Sequence, residues 1–312
     1  MPSFVHLGYP KTGTTTLQNR FLNGNPEIVY LGIRFATDRI REIVELDVMM
    51  KDEVEFDAKA SREALADELQ RLGAREDSKV VLSYENMGFS WDNHRDRLIV
   101  ARRMTEILPG AQFIVTIRNQ FEFISSMYKQ SVYAGMFIDY EDFLNISWSR
   151  FYRSTFPQLK YYEFIKALQG LAGPEGVHVL CYEQLRHDSK QFMRSFCDYV
   201  GITFAELPDE KDNVGLSRSG LKLKRLLNRV VPYELGRTYF LPRTRELGAS
   251  QDAGNFRYRY MLFSNNLVQG MDRKLGLTNH RLELMPEWRE RLQELYAESN
   301  RKLAYEYGLA LE

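Results

Sequence analysis

Four apolar runs that lack polar alternation constrain this chain most: Phe4-Val5-His6-Leu7, Lys79 to Ser83 (KVVLS), Gln112 to Ile117 (QFIVTI) and Val177 to Cys181 (VHVLC). A strand with one wet face alternates apolar and polar residues, whereas a strand that is apolar throughout is covered on both faces. Ile28 to Leu31 is a candidate fifth strand. Helical signals lie between the runs. Asp57 to Leu72 reads as a helix with Asp57 as N-cap and Gly73 as C-cap, and Leu98, Ala101, Met104 and Leu108 mark another, stopped by Pro109-Gly110. This order predicts a three-layer α/β fold, with a central parallel sheet flanked by helices.

The second half is more helical. A helix should follow Arg118 to about Tyr133, residues 137–170 are aromatic-rich and mostly helical, and Phe192, Phe196 and Val200 mark a helix ending at Gly201. A last helix runs from about Pro286 to Tyr305. Residues 204–256 are broken by many Pro and Gly and read as a loop-rich cover within one domain spanning 1–312. Lys+Arg and Asp+Glu number 42 each, so the overall balance points to neither nucleic acid nor a membrane surface, and any basic site must be local. No apolar run approaches the ~20 residues of a membrane span. No secretory leader is visible and the two cysteines, Cys181 and Cys197, read as reduced core thiols, so the expected setting is cytoplasmic.

The segment Gly8-Tyr9-Pro10-Lys11-Thr12-Gly13-Thr14-Thr15-Thr16 lies between the first strand and a helix expected from Thr14 to about Leu22. Glycines let backbone approach an anion closely, and the first N–H groups of a helix point outward and favour negative charge. Lys11 adds a cation and the threonines add hydroxyls. These are the parts of a P-loop, so the fold is expected to be P-loop-like. The spacing differs from a nucleoside-triphosphatase: Lys11 precedes Gly13 instead of following it, and no acidic residue ends the strands to hold magnesium.

Lys-Thr-Gly-Thr-Thr on such a turn resembles the 5′-phosphosulfate loop of PAPS-dependent sulfotransferases (PAPS is 3′-phosphoadenosine 5′-phosphosulfate). Arg118 at the end of QFIVTI, with Ser126 eight residues later, resembles the 3′-phosphate site of the same family. The family usually has Pro where Gln120 stands. Tyr182-Glu183-Gln184-Leu185 with the later Gly201-Ile202 resembles a further common element, read as structural, with Glu183 capping or bridging. The helix around Ser299-Asn300-Arg301 resembles bacterial members. The RxGxxGxWK pattern of cytosolic members is absent, and near its place Arg218 or Lys222 could reach the 3′-phosphate or be a solvated helix start.

The resemblance implies that Pro10, Lys11, Thr12, Gly13, Thr14, Thr15 and Thr16 hold the 5′-phosphate and sulfonate. It also implies that Arg118 and Ser126 serve the 3′-phosphate, with Arg218 a further candidate there, and that 3′-phosphoadenosine 5′-phosphate is the product, with no metal required. Sulfuryl transfer to a hydroxyl needs a positioned base. Family members use His or Glu. Glu85, just after KVVLS, is the first choice and His94 the second, with Lys11 as the cation at the leaving group. His6 reads as a satisfied core residue. The acceptor is expected to be a carbohydrate or glycolipid hydroxyl, the alternative being a small phenol, alcohol or amine. A P-loop kinase or an inactive nucleotide-binding protein are the rival readings. Oligomeric state is not legible.

Overall fold

The apolar runs become adjacent strands. A computed structural model describes residues 1–32, 37–90, 95–205, 215–230, 256–277 and 282–311. In chain order its main elements are β1 (Ser3–His6), α1 (Thr14–Leu17, prolonged by a π-helical segment Gln18–Leu22), β2 (Ile28–Gly32) and α2 (Asp38–Arg41, prolonged likewise by Glu42–Val48). Then come α3 (Ala58–Arg71), β3 (Lys79–Ser83), α4 (Arg97–Ile107), β4 (Gln112–Ile117), α5 (Gln120–Tyr133), α6 (Tyr140–Ser149) and α7 (Tyr161–Ala172). The series closes with β5 (Val177–Cys181), α8 (Tyr182–His187), α9 (Ser189–Val200), α10 (Arg218–Val230), α11 (Phe256–Lys274) and α12 (Pro286–Tyr307).

All five strands are parallel, in the order β2-β3-β1-β4-β5. Val5 of the central strand lies opposite Leu82 of β3 and Phe113 of β4, and all three are fully buried. Burial on both faces is why these strands do not alternate. On one face Phe4, Val81, Ile114 and Leu180 pack with Leu17 and Phe21 of the first helical segment and Phe192, Phe196 and Val200 of α9. Each such large side chain contributes roughly 1.5–3 kcal/mol on full burial. The pleat turns Val5, Phe113 and Val115 to the opposite face, and α7 lies against β4 and β5 with α4 beside it.

The chain divides into two compact units, one comprising Met1–Asn119, Tyr152–Asp209 and Gln293–Glu312, the other Gln120–Phe151 and Glu210–Leu292. The first holds the sheet. The second is helical. Its core gathers Tyr128 and Val132 of α5, Leu221 of α10 and Val268 of α11. Much of the expected cover, 206–214 and 231–255, lies outside the described residues. Within that stretch Arg218–Val230 forms one unbroken helix despite Gly220, because a side chain there would strike the Asp272 carboxylate at 2.4 Å. That carboxylate accepts from the Ser217 N–H and hydroxyl, both at 2.7 Å, and so secures the start of α10. Helix α2 has no counterpart in the sequence reading. Its signal was present: the Thr37 hydroxyl caps it by accepting from the Ile40 N–H.

Candidate active site

In open parallel sheets, ligands bind beyond the carboxyl ends of strands whose onward connections leave in opposite directions. Here those strands are β1, whose chain goes on to the β2 side, and its neighbour β4, whose chain goes on to β5. The segments leaving them carry Lys11 and Arg118.

The turn after β1 is held in left-handed backbone at three positions: Gly8 (φ 58°), Lys11 (φ 67°) and Gly13 (φ 78°). Lys11 is the one non-glycine among the described residues with positive φ. Such a conformation costs about 1–3 kcal/mol and persists where surrounding contacts enforce it. They do so here. The buried Tyr9 hydroxyl donates to the Gln158 carbonyl (2.7 Å), and Arg97 donates to that carbonyl (2.8 Å) and to the Tyr9 oxygen. The Thr12 hydroxyl donates to the Tyr9 carbonyl at 2.5 Å and the Thr14 hydroxyl to the same atom at 3.3 Å. Thr12 and Thr14 therefore brace the turn through their hydroxyls. Thr15 is exposed and Thr16 half-buried at the helix start, while Pro10 is buried. Gly13 is the N-cap and supplies no side-chain bond to the helix start. Alternating left- and right-handed residues ahead of such a start form a concave nest of N–H groups, which fits a phosphate or sulfonate.

Arg118 comes to this turn. Its Nη1 donates to the Lys11 carbonyl at 2.9 Å, and its guanidinium lies 4.6 Å from the centre of the Tyr182 ring. The Tyr161 hydroxyl donates to the Arg118 carbonyl at 2.8 Å. The next N–H, of Asn119, donates to the Glu183 carboxylate at 2.9 Å, and the Cys181 thiol donates to the other carboxylate oxygen, also at 2.9 Å. A side chain at Gly13 would meet Leu185 at 2.4 Å. The Tyr182-Glu183-Gln184-Leu185 element thus bridges: Tyr182 lies by Arg118, Glu183 anchors the end of β4, and Leu185 packs on the turn. Its six-residue helix follows β5 without a linker, which explains how spacing i, i+1, i+3 serves three neighbours.

Glu85 opens a short 3₁₀ turn just beyond β3 and is half-buried. A Cβ at Gly8 would lie 3.4 Å from the Glu85 Cβ, so this backbone flanks the turn. The residue surface of Lys11 is open, yet the turn's walls desolvate its ammonium, and this lowers its pKa from the usual lysine range. The Glu85 carboxylate opposes the shift and Arg118 adds to it. Lys11, Glu85 and Arg118 thus form one electrostatic group. His94 lies outside the described residues. Ser126 is half-buried on α5 and Arg218 exposed at the start of α10, both in the second unit.

Beneath the turn, His6 is a core residue as expected. Its Nδ1 is 2.8 Å from the Ser83 hydroxyl and its Nε2 3.0 Å from the Thr116 hydroxyl, and burial pushes its pKa down to about 4. Gln18 donates to the Ser83 carbonyl at 3.1 Å. Among the described residues no group of three or more His, Cys, Asp or Glu is placed to hold a metal ion, and no helix is long and apolar enough to cross a membrane.

The model of the Sulfotransferase family matches residues 2–206, about two thirds of the chain. The chain belongs to the sulfotransferase family. This sulfotransferase is similar in structure to the sulfotransferase from Alicyclobacillus acidocaldarius, with TM-score 0.54 and 15% identity over 98% of this chain and 95% of that one. The likeness extends to a mouse sulfotransferase complexed with PAP (TM-score 0.44, 13% identity, 98% of this chain and 89% of that one). It extends also to the sulfotransferase domain from the curacin biosynthetic pathway (TM-score 0.40, 17% identity, 68% and 79%). A search of curated proteins finds no match. The matched span includes the turn that carries Lys11 and the segment that carries Arg118, and the fold agrees with the expected P-loop-like α/β architecture.

Proposed function

We propose that the protein moves the sulfuryl group of PAPS to an acceptor hydroxyl of a carbohydrate or glycolipid, releasing 3′-phosphoadenosine 5′-phosphate. The observation that carries this reading is the hydrogen bond from Arg118 to the Lys11 carbonyl, because it brings both cations to the one turn that leads into the first helix. PAPS would supply an activated sulfuryl group on a phosphate leaving group. The nest from Lys11 to Thr16 would hold the 5′ end. Arg118 matches bidentate phosphate geometry, and Ser126 and Arg218 are its proposed companions at the 3′-phosphate. Lys11 would neutralise charge that develops on the departing phosphate oxygen, a contribution of several kcal/mol when a cation is pre-positioned. Glu85 would accept the acceptor's proton. Its place beside Lys11 and the turn supports that role.

Titration with 3′-phosphoadenosine 5′-phosphate, with and without EDTA, tests the donor. Binding indifferent to EDTA and tighter than that of ATP is expected, and tighter ATP binding that needs magnesium would replace this reading with a kinase or NTPase. Labelled PAPS offered with sugars, glycolipids, phenols and amines tests the acceptor. Label on a phenol or amine but on no sugar would reassign the class, and binding without transfer to any acceptor would mark an inactive nucleotide-binding protein.

A further inference from the structure

Net charge is zero over the chain, yet it is distributed unevenly in the second unit. Helices α10 and α11 hold one acidic residue between them, Asp272, and it is buried against Ser217. Lys222, Arg229, Arg259, Arg273 and Lys274 are all exposed on the same two helices.

The helices run antiparallel, with Ser217 paired to Asp272, Lys224 to Ser264 (2.6 Å) and the Leu227 carbonyl to the Tyr260 hydroxyl (3.1 Å). Leu221, Lys224, Asn228, Ser264 and Val268 face inward and are buried. On the outer side, Leu226 and Val230 of α10 are 58% and 70% exposed. Along α11, Phe263, Leu267 and Met271 recur every four residues, and all three are exposed, Phe263 at 62%. Residues four apart on a helix form one stripe. The pair thus presents an apolar row and a set of exposed cations, and neither helix carries an exposed acid of its own; Arg225 of α10 pairs with an acid outside the two helices, Asp139.

We infer that this face is a docking surface for an anionic lipid bilayer. An amphipathic helix with Phe and Leu on one side and Lys and Arg beside them lies in the membrane interface, its apolar side chains among the acyl chains and its cations at the headgroups. Charge complementarity selects this occupant. A nucleic acid or a sulfated glycan would satisfy the cations but leave the aliphatic row in water. A second copy of the chain would bury the row but oppose cation to cation. The surface neither rests on the proposed transfer reaction nor requires a spanning segment.

The test is flotation of the full chain with vesicles of phosphatidylcholine alone and of phosphatidylcholine mixed with phosphatidylglycerol. Binding is expected to the mixed vesicles only, and to fall with added salt. Each of Arg229→Glu and Lys274→Glu should lower partitioning roughly fivefold or more. Phe263→Ser with Leu267→Ser should abolish it while circular dichroism and the unfolding midpoint stay unchanged, since both side chains are solvent-facing. Absence of binding to mixed vesicles, or equal binding by the charge-reversed variants, overturns the inference. So does sedimentation showing a dimer that Phe263→Ser dissociates, because the row would then be a contact between copies.

Discussion

The Arg118 guanidinium is bonded to the carbonyl of Lys11, the residue whose own backbone is held at φ 67°. One hydrogen bond therefore ties the segment leaving β4 to the segment leaving β1. Arg118→Lys keeps the charge but loses the planar fork. Affinity for 3′-phosphoadenosine 5′-phosphate should fall about tenfold or more, as expected for a charge-assisted bond, with a smaller fall in unfolding midpoint. Isothermal titration reads the first and thermal denaturation the second.

Lys11→Gly separates strain from chemistry. Glycine adopts positive φ without steric cost, so the variant should be as stable as the parent or more so, by up to about 1 kcal/mol. Turnover should nevertheless drop by about two orders of magnitude or more, because the cation at the leaving group is gone. A stable variant with near-parental turnover would remove Lys11 from the reaction.

Glu85→Gln should leave binding of the bisphosphate product intact and cut the single-turnover rate by about a hundredfold or more. An unchanged rate would transfer the role of base to His94.

His6 makes stability depend on pH. Its pKa is about 4 in the folded chain against 6.5 as the ordinary value, so between these the unfolded chain holds a proton the folded chain refuses. Stability is full above 6.5, declines as pH falls toward 4 and does not decline further from this cause below it, a loss of about 3 kcal/mol. Denaturant titrations at several pH values should show that slope, and His6→Gln should flatten it.

Lys224 is fully buried, bonded to Ser264, and burial lowers its pKa to about 8 from 10.5. Below that value the folded state carries a buried charge that the unfolded state keeps in water, so stability rises as pH climbs from 8 to 10.5. Lys224→Met should raise stability by about 1–3 kcal/mol at neutral pH, since Ser264 still donates to the Met261 carbonyl, and should erase the alkaline rise.

The strands and the glycine-containing turn after β1 were legible because their signals are local. Burial on both faces writes itself into FVHL, KVVLS, QFIVTI and VHVLC, and Asp57 caps α3 at the Ala60 N–H as its residue type suggests. What sequence could not convey were partnerships across the fold. Nothing in Thr12 or Thr14 says that their hydroxyls turn back to Tyr9, and nothing in Glu183 names Asn119 as its donor 64 positions away. Helix α10 was obscured by Gly220, whose reason lies on another helix, at Asp272. The cationic apolar face stayed hidden because a balanced total of 42 and 42 conceals where charges gather.

His6 joins the middle strand to both neighbours through Ser83 and Thr116, side chain to side chain, two residues before the turn that begins at Gly8. The floor beneath this turn is thus stitched crosswise as well as through the peptide ladder, and it has little freedom to spread. If the proposed transfer holds, changes of acceptor preference in descendants of this chain fall to the segments that rise above the strands, which can be rewritten while this floor stays as it is.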